Sequence, residues 1–289
     1  MTEHISPSNA TQQNRRKGSL GKAVALHILL AAIAFTMVLP FVWMLLTSFK
    51  PLAEVGTVGK GWLPETWQPS NYAKVFEEID FARFYWNSIF VAAWVTFLQV
   101  LTSAMAAYAF ARLKWPGRNK LFLAYLATMM LPGLVMMIPN YQIMIALGLI
   151  DSYVGLILPA AFSAFGTFLM RQFMLTIPTE LDEAAEIDGA SKWQVFWRII
   201  LPLSRPGLIT LTIFTFMGNY KSFFWPLVMV KSAHRYTLPV GLLYFDNTQG
   251  TATHLLMAAV TMSVIPLVVL FLILQRYLVK GIQLGAVKG

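Results

Sequence analysis

The chain alternates between long apolar stretches and short polar breaks, and six of the stretches are long enough to cross hydrocarbon. They run Ala23–Ser48, Asn87–Ala111, Leu121–Ile138, Val154–Met170, Pro206–Val230 and Met257–Tyr277. Each reaches or approaches the ~20 residues a helix needs to span a bilayer. The pattern predicts an all-α polytopic membrane protein with six transmembrane helices. Residues 1–22 form a polar tail expected to be disordered through Leu20, residues 23–279 the transmembrane domain, and residues 280–289 a C-terminal tail. The first apolar run is too long for a signal-peptide core of ~7–15 residues and lacks a small-residue cleavage site, so it counts as a span.

Orientation follows from charge. Of 22 Lys and Arg residues, 15 fall in the two tails and in the second-to-third and fourth-to-fifth connections; 6 fall in the other connections, and Lys221 lies inside a span. Basic residues concentrate on the cytoplasmic side, which puts both termini in the cytoplasm. The net charge of +9 therefore belongs to membrane topology and not to nucleic-acid binding. A composition that is 57% hydrophobic and 12% charged fits this class, and the absence of cysteine excludes disulfides, thiolate metal sites and cysteine nucleophiles.

Prolines at 40, 132, 159, 226 and 266 fall in or near five of the spans and predict kinks. Ser103, Ala107 and Ala111 recur every four residues, a smooth stripe for close helix packing. In the first outside connection, residues 71–78 read as a short amphipathic helix among interfacial aromatics.

The most informative segment is a polar island at 171–205, placed in the cytoplasm by the charge count. Over 171–202 it carries five acids (Glu180, Asp182, Glu183, Glu186, Asp188) against Arg171, Lys192 and Arg198. Thr179 with Asp182, and Ser191 with Gln194, have capping-box spacing, and Gly189 between them suits a left-handed C-cap. The expectation is helix, glycine turn, helix, the first from Glu180 to Asp188 and the second from Lys192 toward Arg198. Ala184 and Ala185 let a partner approach the backbone; Glu183, Glu186 and Asp188 offer carboxylates to its basic residues. Trp193, Phe196 and Trp197 are expected to be exposed until that partner covers them.

The run Glu183-Ala184-Ala185, three residues, Gly189, nine residues, Ile199, one residue, Leu201-Pro202 resembles the EAA loop of binding-protein-dependent ABC importer permeases, complete in type and spacing. Residues 107–118 and the tail from Gly285 to Gly289 are similar to the carbohydrate branch of that family, and the tail resembles that of the G-type subunit of the maltose transporter. The resemblance implies a bacterial inner-membrane permease subunit whose island is a coupling helix seated in a cleft of a separate ATPase. Glu183 would pair with a basic residue there and Gly189 would set the elbow. It further implies a second permease subunit in a heteromeric pair, two ATPase subunits, an external substrate-binding protein meeting the last outside loop (Lys231 to Leu255), and surrounding membrane lipid. This chain has no GxxxxGK[ST] phosphate loop. No cofactor is expected on it, and ATP and Mg belong to the partner ATPase. The other reading is a stand-alone secondary transporter or channel with a cytoplasmic regulatory loop.

A pathway is expected in the fifth span, where Asn219, Tyr220, Lys221, Ser222 and Trp225 cluster near mid-membrane. A charge there costs roughly 2.5–3.5 kcal/mol, so it faces a wet or paired environment. Aromatic rings beside polar side chains suit a sugar. The family resembled usually has Trp-Asn where this chain has Tyr220-Lys221. Lys221 either faces the pore and favours an anionic group, or pairs with the partner permease or snorkels outward.

Overall fold

A computed structural model describes the backbone of residues 8–56, 61–247 and 250–286. The helices, in chain order, are α1 (Ser8–Ser48), α2 (Ser70–Glu78), α3 (Phe81–Ala111), α4 (Arg118–Ala127), α5 (Gly133–Ala146), α6 (Tyr153–Ile157), α7 (Ala164–Leu175), α8 (Glu180–Ile187), α9 (Lys192–Val195), α10 (Leu201–Leu203), α11 (Arg205–Tyr220), α12 (Phe224–Met229), α13 (Leu238–Gly241) and α14 (Thr253–Ala286). Among the described residues the one sheet is a two-residue ladder, Asp246 opposite Thr251 and Asn247 opposite Gly250.

Among the described residues, three helices are long and apolar enough to cross a membrane unbroken: Lys22–Ser48 within α1, the whole of α3, and Thr253–Gln275 within α14. Three further helix pairs pass the same length and hydropathy test only when taken together, each bent at a short break. Arg118–Met130 and Gly133–Ala146 meet at 101°, Tyr153–Ala161 and Ala164–Leu175 at 44°, and Lys192–Leu203 and Arg205–Tyr220 at 76°. Counting each pair as one gives up to six, the expected number, although the third pair takes in Lys192–Leu203 of the polar island where the expected fifth span was Pro206–Val230. Pro132 accounts for the first bend. Pro132 sits at the N-cap of α5 in extended conformation, and Pro159 opens a 3₁₀ turn before Ser163 caps α7. Pro40 and Pro266, by contrast, lie inside continuous helices.

Two corrections concern span ends. Helix α1 begins at Ser8, so the stretch expected to be coil through Leu20 is helical from that point; residues 1–7 lie outside the described set. The fifth span does not run unbroken to Val230, because α11 stops at Tyr220 and α12 restarts at Phe224. Of the tail resemblance at Gly285–Gly289, residues 287–289 lie outside the described set.

The chain divides into two compact units. The first comprises residues through Tyr72 with Ala252–Thr261. Here Asn71 donates to the carbonyls of Ser48 and Lys50, both at 2.9 Å, and Glu54 accepts from the amides of Glu65 and Thr66. These bonds fold the polar connection after α1 into the start of α2, the amphipathic helix read from the sequence.

The second unit, Ala73–Thr251 with the chain from Met262, is built around α3, which packs on α7 and α11. The predicted small-residue stripe makes this possible, since Ser103 and Ala107 are buried. Gly166 of α7 sits so close that a Cβ there would lie 2.4 Å from the Ser103 Oγ. One core cluster joins α3 (Ala104, Ala107, Tyr108) and α7 (Met170, Met174) to Ala185, Val195, Phe196 and Ile200 of the polar island, so the island is seated on the bundle and not suspended from it.

Candidate functional site

The island is a rigid elbow. Helix α8 ends in a full Schellman motif: the Gly189 N–H donates to the Glu186 carbonyl and the Ala190 N–H to that of Ala185, with Gly189 at φ +83°. The predicted capping box at Ser191 is present. Its Oγ accepts from the Gln194 amide, and the Gln194 side chain accepts from the Ser191 amide at 2.8 Å. The box expected at Thr179 does not form. Thr179 already has helical backbone angles, and a capping residue needs extended ones. Its partner Asp182 turns inward instead, 3.3 Å from Arg112 Nη1. Burial raises the Asp182 pKa, against the opposing pull of Arg112.

Helix α9 passes directly into a π-turn at Phe196–Ile200, where the Leu201 N–H reaches back to the Phe196 carbonyl, just before Pro202 removes a donor. Two side chains of α3, one turn apart, hold the elbow and the end of α7 that leads into it. The Tyr108 hydroxyl donates to the Lys192 carbonyl at 2.9 Å, and Arg112 Nη2 donates to the carbonyls of Met174 and Ile177 at 2.8 and 2.7 Å. Lys192 also pairs with Glu186 across the glycine turn.

The inner face of the elbow is Ala185, Val195, Phe196 and Ile200; Ile199, Leu201 and Pro202 are half-buried. The outer face presents Glu183, Ala184, Asp188, Gly189 and Trp193, with Ile187 86% exposed and Trp197 40%. Phe196 and Ala185, both expected to meet a partner on that face, are buried and belong to the core.

The second constellation is a cavity of about 440 Å³ where α11 breaks. Asn219, Ser222 and Trp225, all named from the sequence, line it together with Phe223 and Phe224. Two of the predicted residues do not. Tyr220 is buried facing away, its hydroxyl donating to the Ser263 carbonyl of α14 at 2.9 Å, and Lys221 is exposed and outside the lining. Three polar residues missed in the sequence complete the wall: Ser88 of α3, Asn140 of α5 and Thr237, whose hydroxyl is buried without a hydrogen-bond partner. They come from three distant segments, so no local motif marks them. Among the described residues, the lining contains no Lys, Arg, Asp or Glu.

Trp225 is fixed by its indole N–H, which donates to the Gly155 carbonyl at 3.2 Å. Gly155 must lack a side chain, because a Cβ would sit 2.3 Å from the Leu149 carbonyl oxygen. The rim segment after α12 is pinned twice. Asp151 accepts from the amides of Lys231 and Ser232, the Ser232 hydroxyl and Arg235 Nη1; Asn87 donates to the carbonyls of His234 and Tyr236. The Ser232 hydroxyl, with the two amides and Arg235, holds the Asp151 carboxyl far below the usual carboxylate range.

Comparison with known proteins agrees with this architecture. A family model described as "Binding-protein-dependent transport system inner membrane component" matches residues 99–284. The arabinooligosaccharides transport system permease protein AraQ of Halalkalibacterium halodurans is 36% identical over 281 residues, covering 95% of this chain and all of the relative. The sn-glycerol-3-phosphate transport system permease protein UgpE of Yersinia pestis is 39% identical over 198 residues, 68% of this chain and 70% of that one. Among solved structures, a chain of a bacterial ABC transporter involved in import of the acidic polysaccharide alginate superposes with a TM-score of 0.79 at 26% identity, covering 96% of this chain and 99% of its own.

Proposed function

Because this chain belongs to the family of binding-protein-dependent transport system inner membrane components, we propose that its elbow at 180–203 is the seat of a separate ATPase and its 440 Å³ cavity a part of the substrate path. The chain is a multi-pass plasma-membrane permease subunit of an ABC importer, not an enzyme. The family relationship supports this reading and not a stand-alone transporter or channel. It also implies work with another permease, ATPases and a substrate-binding protein. The finer assembly we propose is a heteromeric permease pair with two ATPase subunits, which carry the ATP and Mg, and with both termini and the elbow in the cytoplasm.

The observation that carries the coupling role is the division of the elbow into two faces. Its inner face is core, and its outer face holds Ile187 and Trp193 at 86% and 57% exposure on a frame fixed by the Gly189 C-cap and the Ser191 capping box. Exposed apolar side chains on a rigid polar element mark an interaction surface. Glu183 and Asp188 beside them supply charge-assisted hydrogen bonds to a basic cleft.

For the substrate, relatives point both ways: the permeases named above serve an arabino-oligosaccharide, a phosphate ester and an acidic polysaccharide. The uncharged cavity lining supports a neutral saccharide. Asn140, Asn219, Ser222 and Thr237 hydrogen-bond hydroxyls while the Trp225 and Phe223 rings take the apolar CH face, in a volume typical of small-molecule sites.

The test is co-expression with the companion permease and ATPase, followed by detergent purification. A stoichiometric ATPase, with hydrolysis stimulated by the loaded binding protein, is expected. Glu183→Ala and Ile187→Asp should release the ATPase. Saccharide transport by this chain alone would overturn the reading.

A further inference from the structure

We propose that Arg112 is a positioning residue that fastens the elbow to α3, so that displacement of the elbow by the ATPase moves α3 as one rod and reshapes the cavity at its far end. The inference rests on the ATPase-seating reading above.

Three contacts converge on one guanidinium whose side chain is only 4% exposed. Nη2 takes the carbonyls of Met174, in the last turn of α7, and of Ile177, two residues beyond its end, and Nη1 faces Asp182 in the first turn of α8. Arg112 is itself the C-cap of α3, its amide donating to the Tyr108 carbonyl. The planar fork of arginine holds several acceptors in fixed directions at once; a lysine ammonium is a point charge on a flexible stem. Tyr108, four residues earlier and on the same helix face, holds α9 by its backbone. Both helices of the elbow are therefore tied to the last turns of α3.

The other end of α3 reaches the cavity. Ser88 and Val91 line it, and the Ser88 Oγ accepts the Leu238 amide at 2.7 Å. From Ser88 to Arg112 the helix is about 36 Å long at 1.5 Å per residue. It has neither proline nor break along its 31 residues. The other routes from elbow to cavity are broken: a 44° bend separates α7 from the lining residues Leu156, Pro159 and Ala160, and α11 meets the elbow at a 76° bend and stops at Tyr220 before the lining residues 222–226. Stiff transmission therefore favours α3, and its coupling depends on the Arg112 fork.

The experiment uses the complete transporter in liposomes, with its companion permease, ATPase and binding protein. Arg112→Met, Arg112→Lys and Asp182→Asn are compared with wild type for ATPase retention, unstimulated hydrolysis, stimulation by loaded binding protein, and substrate moved per ATP. We expect ATPase retention and unstimulated hydrolysis within about twofold of wild type. Stimulation and substrate per ATP should fall about tenfold in Arg112→Met and about threefold in Arg112→Lys and Asp182→Asn. A merely structural role would lower assembly and activity together without changing substrate per ATP. If Arg112→Met does not assemble, the two milder variants carry the test. Assembled variants with wild-type substrate per ATP overturn the proposal, and so does failure of all three to assemble. A wild-type chain that recruits no ATPase overturns the functional reading instead, before any variant is compared.

Discussion

The hydroxyl of Tyr108 lies 2.9 Å from the backbone carbonyl of Lys192, joining the end of one membrane-spanning helix to the second helix of the elbow. The same carbonyl also accepts the Phe196 N–H within the elbow, so it is not left bare when the tyrosine is changed. Tyr108→Phe should keep the ring against Phe196, 5.1 Å between centroids, and cost about 1 kcal/mol of elbow stability. Hydrogen exchange at 189–195 should rise about fivefold, with exchange at mid-α3 unchanged.

The glycines separate conformation from space. Gly189 has φ +83° and open surroundings, so substitution there is limited by backbone conformation alone. Asparagine should be tolerated best, alanine should cost about 1–2 kcal/mol, and valine more. ATPase retention should follow the same order. Gly155→Ala meets the Leu149 carbonyl oxygen at 2.3 Å and the Met229 Cε at 2.5 Å. It should lower the melting temperature in detergent, with about 1–3 kcal/mol of overpacking. Gly218→Ala, with nothing within 4 Å, should be neutral or stabilising.

The Asp151 latch gives a pH prediction. Its carboxyl titrates well below the unfolded aspartate value of about 3.9, so its contribution is fully present above that value and is lost only as pH falls toward the depressed folded one. Protection of the Lys231 and Ser232 amides, corrected for intrinsic exchange, should therefore be flat from pH 5 to 8. Asp151→Asn should reduce it equally across that range. A midpoint inside the range would show that the carboxylate is not held as described.

Lys221 and Trp225 are four positions apart and should behave differently. Lys221→Met should leave the transport KM for a neutral saccharide within twofold, because the ammonium lies outside the cavity lining. Trp225→Ala should raise it about tenfold, because it removes a stacking face and opens the wall against Gly155. A specific loss of anionic substrates in Lys221→Met would restore a pore-facing role for the ammonium.

Much of this was legible in the chain. Hydropathy placed Ala23–Ser48 within α1 and Asn87–Ala111 within α3, and spacing placed the Ser191 cap and the Gly189 turn. Direction was not legible. Hydropathy counts apolar residues and does not show that the chain turns by 101° at Leu131–Pro132, or that it breaks at 221–223. Phe196 was misplaced because α9 has only four residues before the π-turn, too short for a helical period to fix which face points inward. Thr179 matched a cap in spacing, yet Asp182 had a buried cation available from a segment about 70 positions earlier. Ser88, Asn140 and Thr237 meet only in three dimensions.

The most direct test of the central claim labels the elbow itself. The chain contains no cysteine, so a single cysteine at Trp193 reports that position alone. A membrane-impermeant maleimide should label it in inverted vesicles stripped of ATPase, be blocked when the ATPase is restored, and fail to reach it in right-side-out vesicles. Labelling from the outside, or undiminished labelling with ATPase bound, would contradict the account.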